Sequence, residues 1–235
     1  MSRICTICAR GGSKGVKNKN VKLILGKPLI AHSILQAKTS GLFDVIAVSS
    51  DSQEILQAAR DYGADFFIKR PAELATDTAA KLPVIQHCVQ EVEKQTGLFF
   101  DVMTDIDATS PLRTIEDLIN SIDLLENHEQ ATNLITGAPS RRSPYFNLVE
   151  QDSKGFIQLS KKLPAAVVRR QDAPESFDMN ASIYVWKRDH FFKELSIFTP
   201  NTILYEMPEE RSIDIDSELD FEFVSFLAEK RGTLL

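Results

Sequence analysis

No stretch of this 235-residue chain approaches the ~20 consecutive apolar residues that a membrane helix needs. Nor does it open with a charged start and a long apolar core, as a secretory signal would. Both lacks point to the cytosol and leave the membrane out as a partner. Cysteine is scarce, and Cys5, Cys8 and Cys88 cannot all pair. The Cys5 to Cys8 spacing falls inside a predicted strand, whereas a redox or zinc pair needs a turn between its cysteines, so buried strand thiols are the reading. Internal repeats and low-complexity tracts are also absent. With 43% hydrophobic and 26% charged residues, what remains is the composition of a globular chain long enough for one full core over residues 1–235.

Acid is missing from the start of the chain. The first 43 residues hold eight Lys/Arg and no Asp or Glu, so they carry +8, and the other 192 carry −14 against a total of −6. Such polarity suggests an anionic ligand at the N-terminal segment. Nucleic acid is disfavoured, because the basic residues sit around glycines rather than in a helical stripe with interleaved aromatics. A small phosphorylated ligand suits the spacing better, with a solvated surface loop as the bland alternative.

Strand and helix patterns alternate from residue 3 to about 128. Apolar or β-branched runs predict strands at Ile4 to Cys8, Asp44 to Ser50, Ala64 to Ile68 and Phe99 to Asp107. Between them, helical spacing is read at Pro28 to Ala37, Ser52 to Tyr62, Thr78 to Lys94 and Thr114 to Leu125. This is the signature of a mostly parallel sheet with helices on both faces, its ligand crevice at the carboxyl ends of the strands. Past it the pattern loosens into short extended pieces near 133–136, 145–149 and 155–159. The stretch at about 140–180 is the one candidate for an inserted subdomain or dimer arm. Ser182 to Trp186 resumes the sheet, and Ser217 to Lys230 closes the chain as a helix.

The basic loop reads ARGGSKGVKNKN at residues 9–20. Two standard phosphate patterns are missing from it, G-x-x-x-x-G-K-[ST] and G-x-G-x-x-G. A strand that runs into Gly11, Gly12 and Ser13 still leaves backbone N–H groups open to phosphate oxygens, with Arg10, Lys14 and Lys19 supplying charge. At the far end, Asp214 and Asp216 flank one residue, which in an extended segment puts both carboxylates on one side. Hard oxygen ligands of this kind suit Mg²⁺, the alternative being a helix cap or strand surface before Ser217.

ARGGSKGVKNKN, GKPLI at 26–30, RPAELATDT at 70–78, TSPLR at 109–113 and SIDIDSELDF at 212–221 occur in this order. Together they resemble the acylneuraminate cytidylyltransferases, the CMP-sialic acid synthetases, over residues 3–228. The resemblance implies a nucleotidyltransferase of glycosyltransferase-A-like α/β architecture, a homodimer, and transfer of CMP from CTP to a nine-carbon 2-keto sugar acid with loss of pyrophosphate. It also implies that Arg10, Ser13, Lys14, Lys19 and Asn20 grip the triphosphate, with backbone contacts from Gly11 and Gly12. Lys19 would stabilise charge at the α-phosphate, Arg70 would sit near the cytosine, and Asp214 and Asp216 would hold Mg²⁺. Lys17 and Lys22 read equally well as solvated.

Many members of that family carry glutamine where this chain has Asp107. The carboxylate leaves three roles open: holding a sugar hydroxyl, joining the metal shell, or taking the proton of the nucleophile. Asp105, deeper in the strand, reads as structural. The segment 169–184 matches one that lines the acceptor pocket, partly across the dimer, which makes Arg170, Gln171, Phe177 and Asn180 candidates for binding the sugar. Phe177 and Tyr184 also read as core aromatics. Asp178 and Ala181 depart from the sialic-acid form, where arginine and glycine are frequent, and the D-M-N-A-S-I-Y form with Asp107 looks like the bacterial branch acting on legionaminic-type sugars. The eight-carbon Kdo cytidylyltransferases and a CTP-binding regulator without turnover stand as alternatives.

Overall fold

Period-two alternation shapes the first strand. β1 (Arg3–Cys8) sends Cys5 and Ile7 to one face and Ile4 to the other, all buried. A short hairpin, β2 (Leu23–Ile24) with β3 (Lys27–Pro28), leads into α1 (Leu29–Ser40), which ends at Gly41 with a φ of 65°. Then come β4 (Val45–Ser50), α2 (Gln53–Asp61), β5 (Phe66–Lys69), α3 (Lys81–Thr96), β6 (Val102–Ile106) and α4 (Ile115–Asn127). The rest is β7 (Asn133–Pro139), β8 (Val149–Gln151), β9 (Ile157–Leu159), β10 (Phe177–Lys187), α5 (Arg188–Phe191), β11 (Thr202–Glu206) and α6 (Glu218–Arg231).

This computed structural model describes residues 1–12, 15–76, 78–165, 169–194 and 196–235. Seven strands form the central sheet in the order β11-β7-β10-β6-β1-β4-β5. Only β10 runs against its neighbours; the pairs β6–β1, β1–β4, β4–β5 and β7–β11 are parallel. Helices α1, α2 and α4 pack on the face that carries Cys5, Ile7, Ile46 and Val48. On the other face α3 lies over Ile4, Val45, Ala47 and Met103. α6 packs elsewhere: its Val224 and Ala228 meet Val16, Ile24, Leu29 and Ile215 in a third cluster beside the basic loop. No helix among the described residues is long and apolar enough to cross a membrane.

Several boundaries differ from the sequence reading, for local reasons. α3 begins at Lys81 rather than Thr78, which places Pro83 in the first turn, where its missing N–H costs nothing. The resumed strand at 182–186 is the middle of β10, which starts at Phe177 and carries an irregularity between Met179 and Tyr184. There Ala181 has a φ of 52°, the left-handed region that favours glycine, the residue frequent at this position in the resembled family. β11 (TILYE) has no counterpart in the sequence reading. Of the extended pieces at 145–149 and 155–159, only Val149–Gln151 and Ile157–Leu159 are strands, and they pair solely with each other.

Candidate active site

Parallel strands deliver their carboxyl ends to one edge of the sheet, and the candidate residues gather there. Arg10 follows β1, Arg70 follows β5, Asp107 follows β6, and Asp214 and Asp216 arrive from the segment ahead of α6. With Lys19, Asn20, Gly15, Lys81 and Thr109 they line a cleft of about 450 Å³.

Gly15 explains how the basic loop reaches the acidic segment. A Cβ here would lie 1.9 Å from the Asp216 carbonyl oxygen, so only a residue without a side chain permits the approach. Lys19 ties the same segments together, donating from Nζ to the Ile215 carbonyl with Asp216 Oδ1 3.6 Å away. Asn20 is buried and donates from Nδ2 to the Arg10 carbonyl at 3.0 Å, while its Oδ1 is buried without a partner among the described residues. Arg70, also buried, donates to the Ser49 carbonyl at 2.9 Å and lines the cleft. Gly11 departs from the expected phosphate contact: its amide donates to Asp51 Oδ1 at 2.8 Å, closing the loop on the neighbouring strand. The Cβ position of Gly12 faces open space, and Ser13 and Lys14 lie outside the described residues.

The acidic wall is organised by Thr109 and Lys81. Asp107 Oδ1 accepts from the Thr109 amide at 3.1 Å and from its hydroxyl at 3.0 Å; Lys81 Nζ donates to Oδ2 at 3.0 Å. Burial alone would push the Asp107 carboxyl up, but Lys81 and the Thr109 hydrogen bonds outweigh it and bring the pKa down to about 2. Asp105, buried beneath, is held high by desolvation although Lys81 and Thr6 bond it. The Thr109 hydroxyl also reaches Asp214 Oδ1, and the Thr109 carbonyl accepts from the Ile215 amide at 3.0 Å. Asp214 is pushed up by burial first, then by the charges of Asp107 and Asp216.

That crowding of carboxylates at Asp214 is what a bound cation relieves, and the donors are hard oxygens. Among the described residues no group of three His, Cys, Asp or Glu side chains forms a ready cage. Mg²⁺ commonly keeps several waters and takes one or two carboxylates plus substrate phosphates, so Asp214 with Asp216 fits it without a cage.

Comparison with known proteins narrows the chemistry. A family model described as cytidylyltransferase matches residues 4–234. The chain belongs to the cytidylyltransferase family. It is 47% identical over 230 residues to post-translational flagellin modification protein B of Campylobacter coli, covering 97% of this chain and 96% of that one. With the CMP-N,N'-diacetyllegionaminic acid synthase of Campylobacter jejuni it shares 46% identity over 224 residues, 95% of this chain and 94% of that one. A solved structure of CMP:2-keto-3-deoxy-manno-octonic acid synthetase complexed with CTP superposes with a TM-score of 0.70 at 16% identity, over 98% of this chain and 100% of that one, which shows the shared nucleotidyltransferase fold.

In this cytidylyltransferase the residues read as sugar-binding do not share one wall. Arg170, Gln171 and Phe177 line a separate concavity of about 530 Å³ with Ser140 and Glu206. Asn180 lies in a third depression beside Asp178 and Ser212, and its amide is spent inside the fold. Its Oδ1 accepts from Thr136 at 2.6 Å and from the Ser182 amide at 3.1 Å; its Nδ2 donates to Ser212 Oγ at 2.9 Å. Those bonds pin the irregular turn of β10. Tyr184 is a buried core aromatic, stacked on Trp186 with centroids 5.5 Å apart.

Lys81, Thr109, Gly15 and Arg113 escaped the sequence reading of this cytidylyltransferase. Arg113 is wholly buried and donates to the carbonyls of Asp107 and Ser110, each at 2.8 Å, and to Ser33 Oγ at 2.6 Å. It clamps the turn that carries Asp107, and burial brings its own pKa down to about 10. Thr109 and Arg113 stood inside the TSPLR motif, which was a usable signal. Lys81 offered a subtler one, a cation in the first helical turn, where the dipole disfavours it.

Proposed function

We propose that the protein transfers CMP from CTP to the anomeric hydroxyl of a nine-carbon 2-keto sugar acid of the legionaminic type, releasing pyrophosphate. The observation that carries this reading is the cleft in which Arg10, Lys19 and Asn20 stand against Asp214 and Asp216. The 46% identity to a synthase named for CMP-N,N'-diacetyllegionaminic acid favours that sugar over Kdo, whose synthetase shares the fold at 16% identity.

Chemistry assigns the parts. Attack at the α-phosphorus expels a highly charged leaving group, so the protein's task is positioning and charge stabilisation. Arg10 and Lys19 take the phosphate oxygens, and Asn20 holds the loop at the carbonyl of Arg10. Arg70, fixed on Ser49, faces the nucleoside. Asp214 and Asp216 hold Mg²⁺, which when bound neutralises phosphate charge. Held ionised by Lys81 and the Thr109 hydrogen bonds, Asp107 serves as a hydrogen-bond acceptor.

The protein works as a cytoplasmic homodimer. Phe146, Leu148, Val149, Phe156 and Ile157, on and beside the β8–β9 hairpin, are exposed, and a second copy is the partner that would cover them. On this reading the 140–180 excursion is a dimer arm that brings Arg170, Gln171 and Phe177 toward the sugar of the other protomer.

A panel of sialic, legionaminic and Kdo acids, each with CTP and Mg²⁺, tests the activity by pyrophosphate release. Strongest turnover with the legionaminic acid is expected. Release with Kdo alone would transfer the protein to the eight-carbon class, and CTP binding without release from any acid would leave a regulator. Asp216→Ala should lower turnover and raise the Mg²⁺ concentration needed for half-maximal activity, with little change in melting temperature, since the side chain is 82% exposed.

A further inference from the structure

Lys81 opens α3, where the positive end of the helix dipole makes a cation unwelcome unless something else holds its charge. Two carboxylates hold it. Nζ lies 3.0 Å from Asp107 Oδ2 and 3.1 Å from Asp105 Oδ2, and 4.3 Å from the ring centroid of Tyr184. The ammonium thus bridges the start of α3, the end of β6 and the middle of β10. Its side chain remains 26% exposed, and that exposure is toward the cleft.

Asp107 is fixed from both sides. Thr109 holds Oδ1 through its amide, its single hydroxyl proton being shared between Asp107 Oδ1 and Asp214 Oδ1, and Lys81 occupies one lone pair of Oδ2. One acceptor site on Oδ2 stays open beside an ammonium that still has an N–H to give. A cation already sitting on Oδ2 repels a second one there, so this oxygen suits a ligand O–H or N–H better than Mg²⁺. A glutamine at this position would present a donor and an acceptor without charge. The Lys81–Asp107 pair presents the same two functions as ions.

We propose that Lys81 is a positioning residue that aims Asp107 at the sugar acid, and that the pair selects the sugar by reading a hydroxyl or amide N–H substituent. The inference rests on the CMP-transfer reading above. It decides between the sugar and the metal as the partner of Asp107, and it adds a residue to the specificity of the site.

Steady-state kinetics with separate titrations of CTP and sugar acid test it. Lys81→Met is expected to raise the KM for the sugar acid about tenfold or more while the KM for CTP moves less than about twofold. Lys81→Arg should retain most of the sugar affinity. The double variant Lys81→Met/Asp107→Gln, which removes both members of the Lys81–Asp107 pair and leaves Asp105 on Thr6, should lose less than the product of the two single losses. Thermal melts accompany each protein, and Lys81→Arg with Asp107→Gln carries the test through the same split between the two KM values if Lys81→Met does not fold. A CTP KM that rises as much as that of the sugar acid, or multiplicative losses in the double variant, would overturn the proposal. Wild-type protein that releases no pyrophosphate with any acid defeats the transfer reading itself; active wild type with indifferent variants defeats only the role of Lys81.

Discussion

Replacing Gly15 with alanine should pull the two halves of the cleft apart. The new Cβ would begin 1.9 Å from the Asp216 carbonyl oxygen, and ordinary van der Waals contact starts at 3.4 Å, so one segment must retreat by about 1.5 Å. The obstacle is backbone rather than a flexible side chain, so no rotamer change relieves it. Lys19 bonds the neighbouring Ile215 carbonyl, and its ammonium would move with the retreating loop. A misplacement of about 1 Å in a positioned site can cost ~100-fold in rate, or close to 3 kcal/mol of transition-state stabilisation. Gly15 itself is exposed, so the melting temperature should fall little. The assay is kcat/KM for pyrophosphate release, paired with thermal denaturation of both proteins. Near-wild-type kcat/KM in Gly15→Ala would refute the argument that close approach of the loop to 214–216 builds the site.

Other perturbations probe the supports. Arg113→Met should cost on the order of 2–3 kcal/mol in urea unfolding, because the carbonyls of Asp107 and Ser110 lose donors; unchanged stability would remove its clamping role. The Asp107 carboxyl has a folded pKa of about 2 against an ordinary 3.8, so it contributes about 2 kcal/mol of stability above pH 4 that disappears as pH falls through 2. Asp105, held high partly by the Asp107 charge, acts in the opposite sense and relaxes when that charge is removed, so the difference between wild type and Asp107→Asn reads the two carboxylates and Lys81 as one unit; superimposable acid-unfolding profiles would contradict the pairing with Lys81. Ala181→Gly should relieve a left-handed backbone worth ~1–2 kcal/mol while adding unfolded-state entropy of ~0.5–1 kcal/mol, for a net gain of ~0–1.5 kcal/mol. A lower melting temperature would show that Ala181 is not strained.

Much of the fold was legible because its signals are local. Cys5 and Ile7 alternate with Ile4 on either side of one strand, and the helices read at Pro28 to Ala37 and Thr78 to Lys94 run two or three residues further, to Ser40 and Thr96, where Gly41 and Gly97 allow a left-handed turn. β11 was missed because TILYE lies at an edge, half-buried, with no strong apolar run to mark it. The reversal of β10 was invisible for a different reason: strand direction depends on which neighbours a segment joins, here β6 and β7, and no local spacing encodes that choice. Within the site, Arg10, Lys19, Asp214 and Asp216 stood out by residue type and spacing, and Asn20 only through the family resemblance. Asn180 was also singled out by the resemblance, yet its amide is consumed by Thr136, Ser182 and Ser212.

By itself, then, the amino-acid order determined the alternating elements, the charge asymmetry and the two chemical poles, a basic loop near residue 10 and an acidic pair near 215. Such features follow from short-range periodicity and side-chain chemistry. Tertiary structure decided that the poles meet through a glycine, that a buried arginine holds the turn carrying Asp107, and that Lys81 sits on Asp107. Each of these couples residues distant in sequence, and only the packing of strand ends along one sheet edge brings their atoms within hydrogen-bond range.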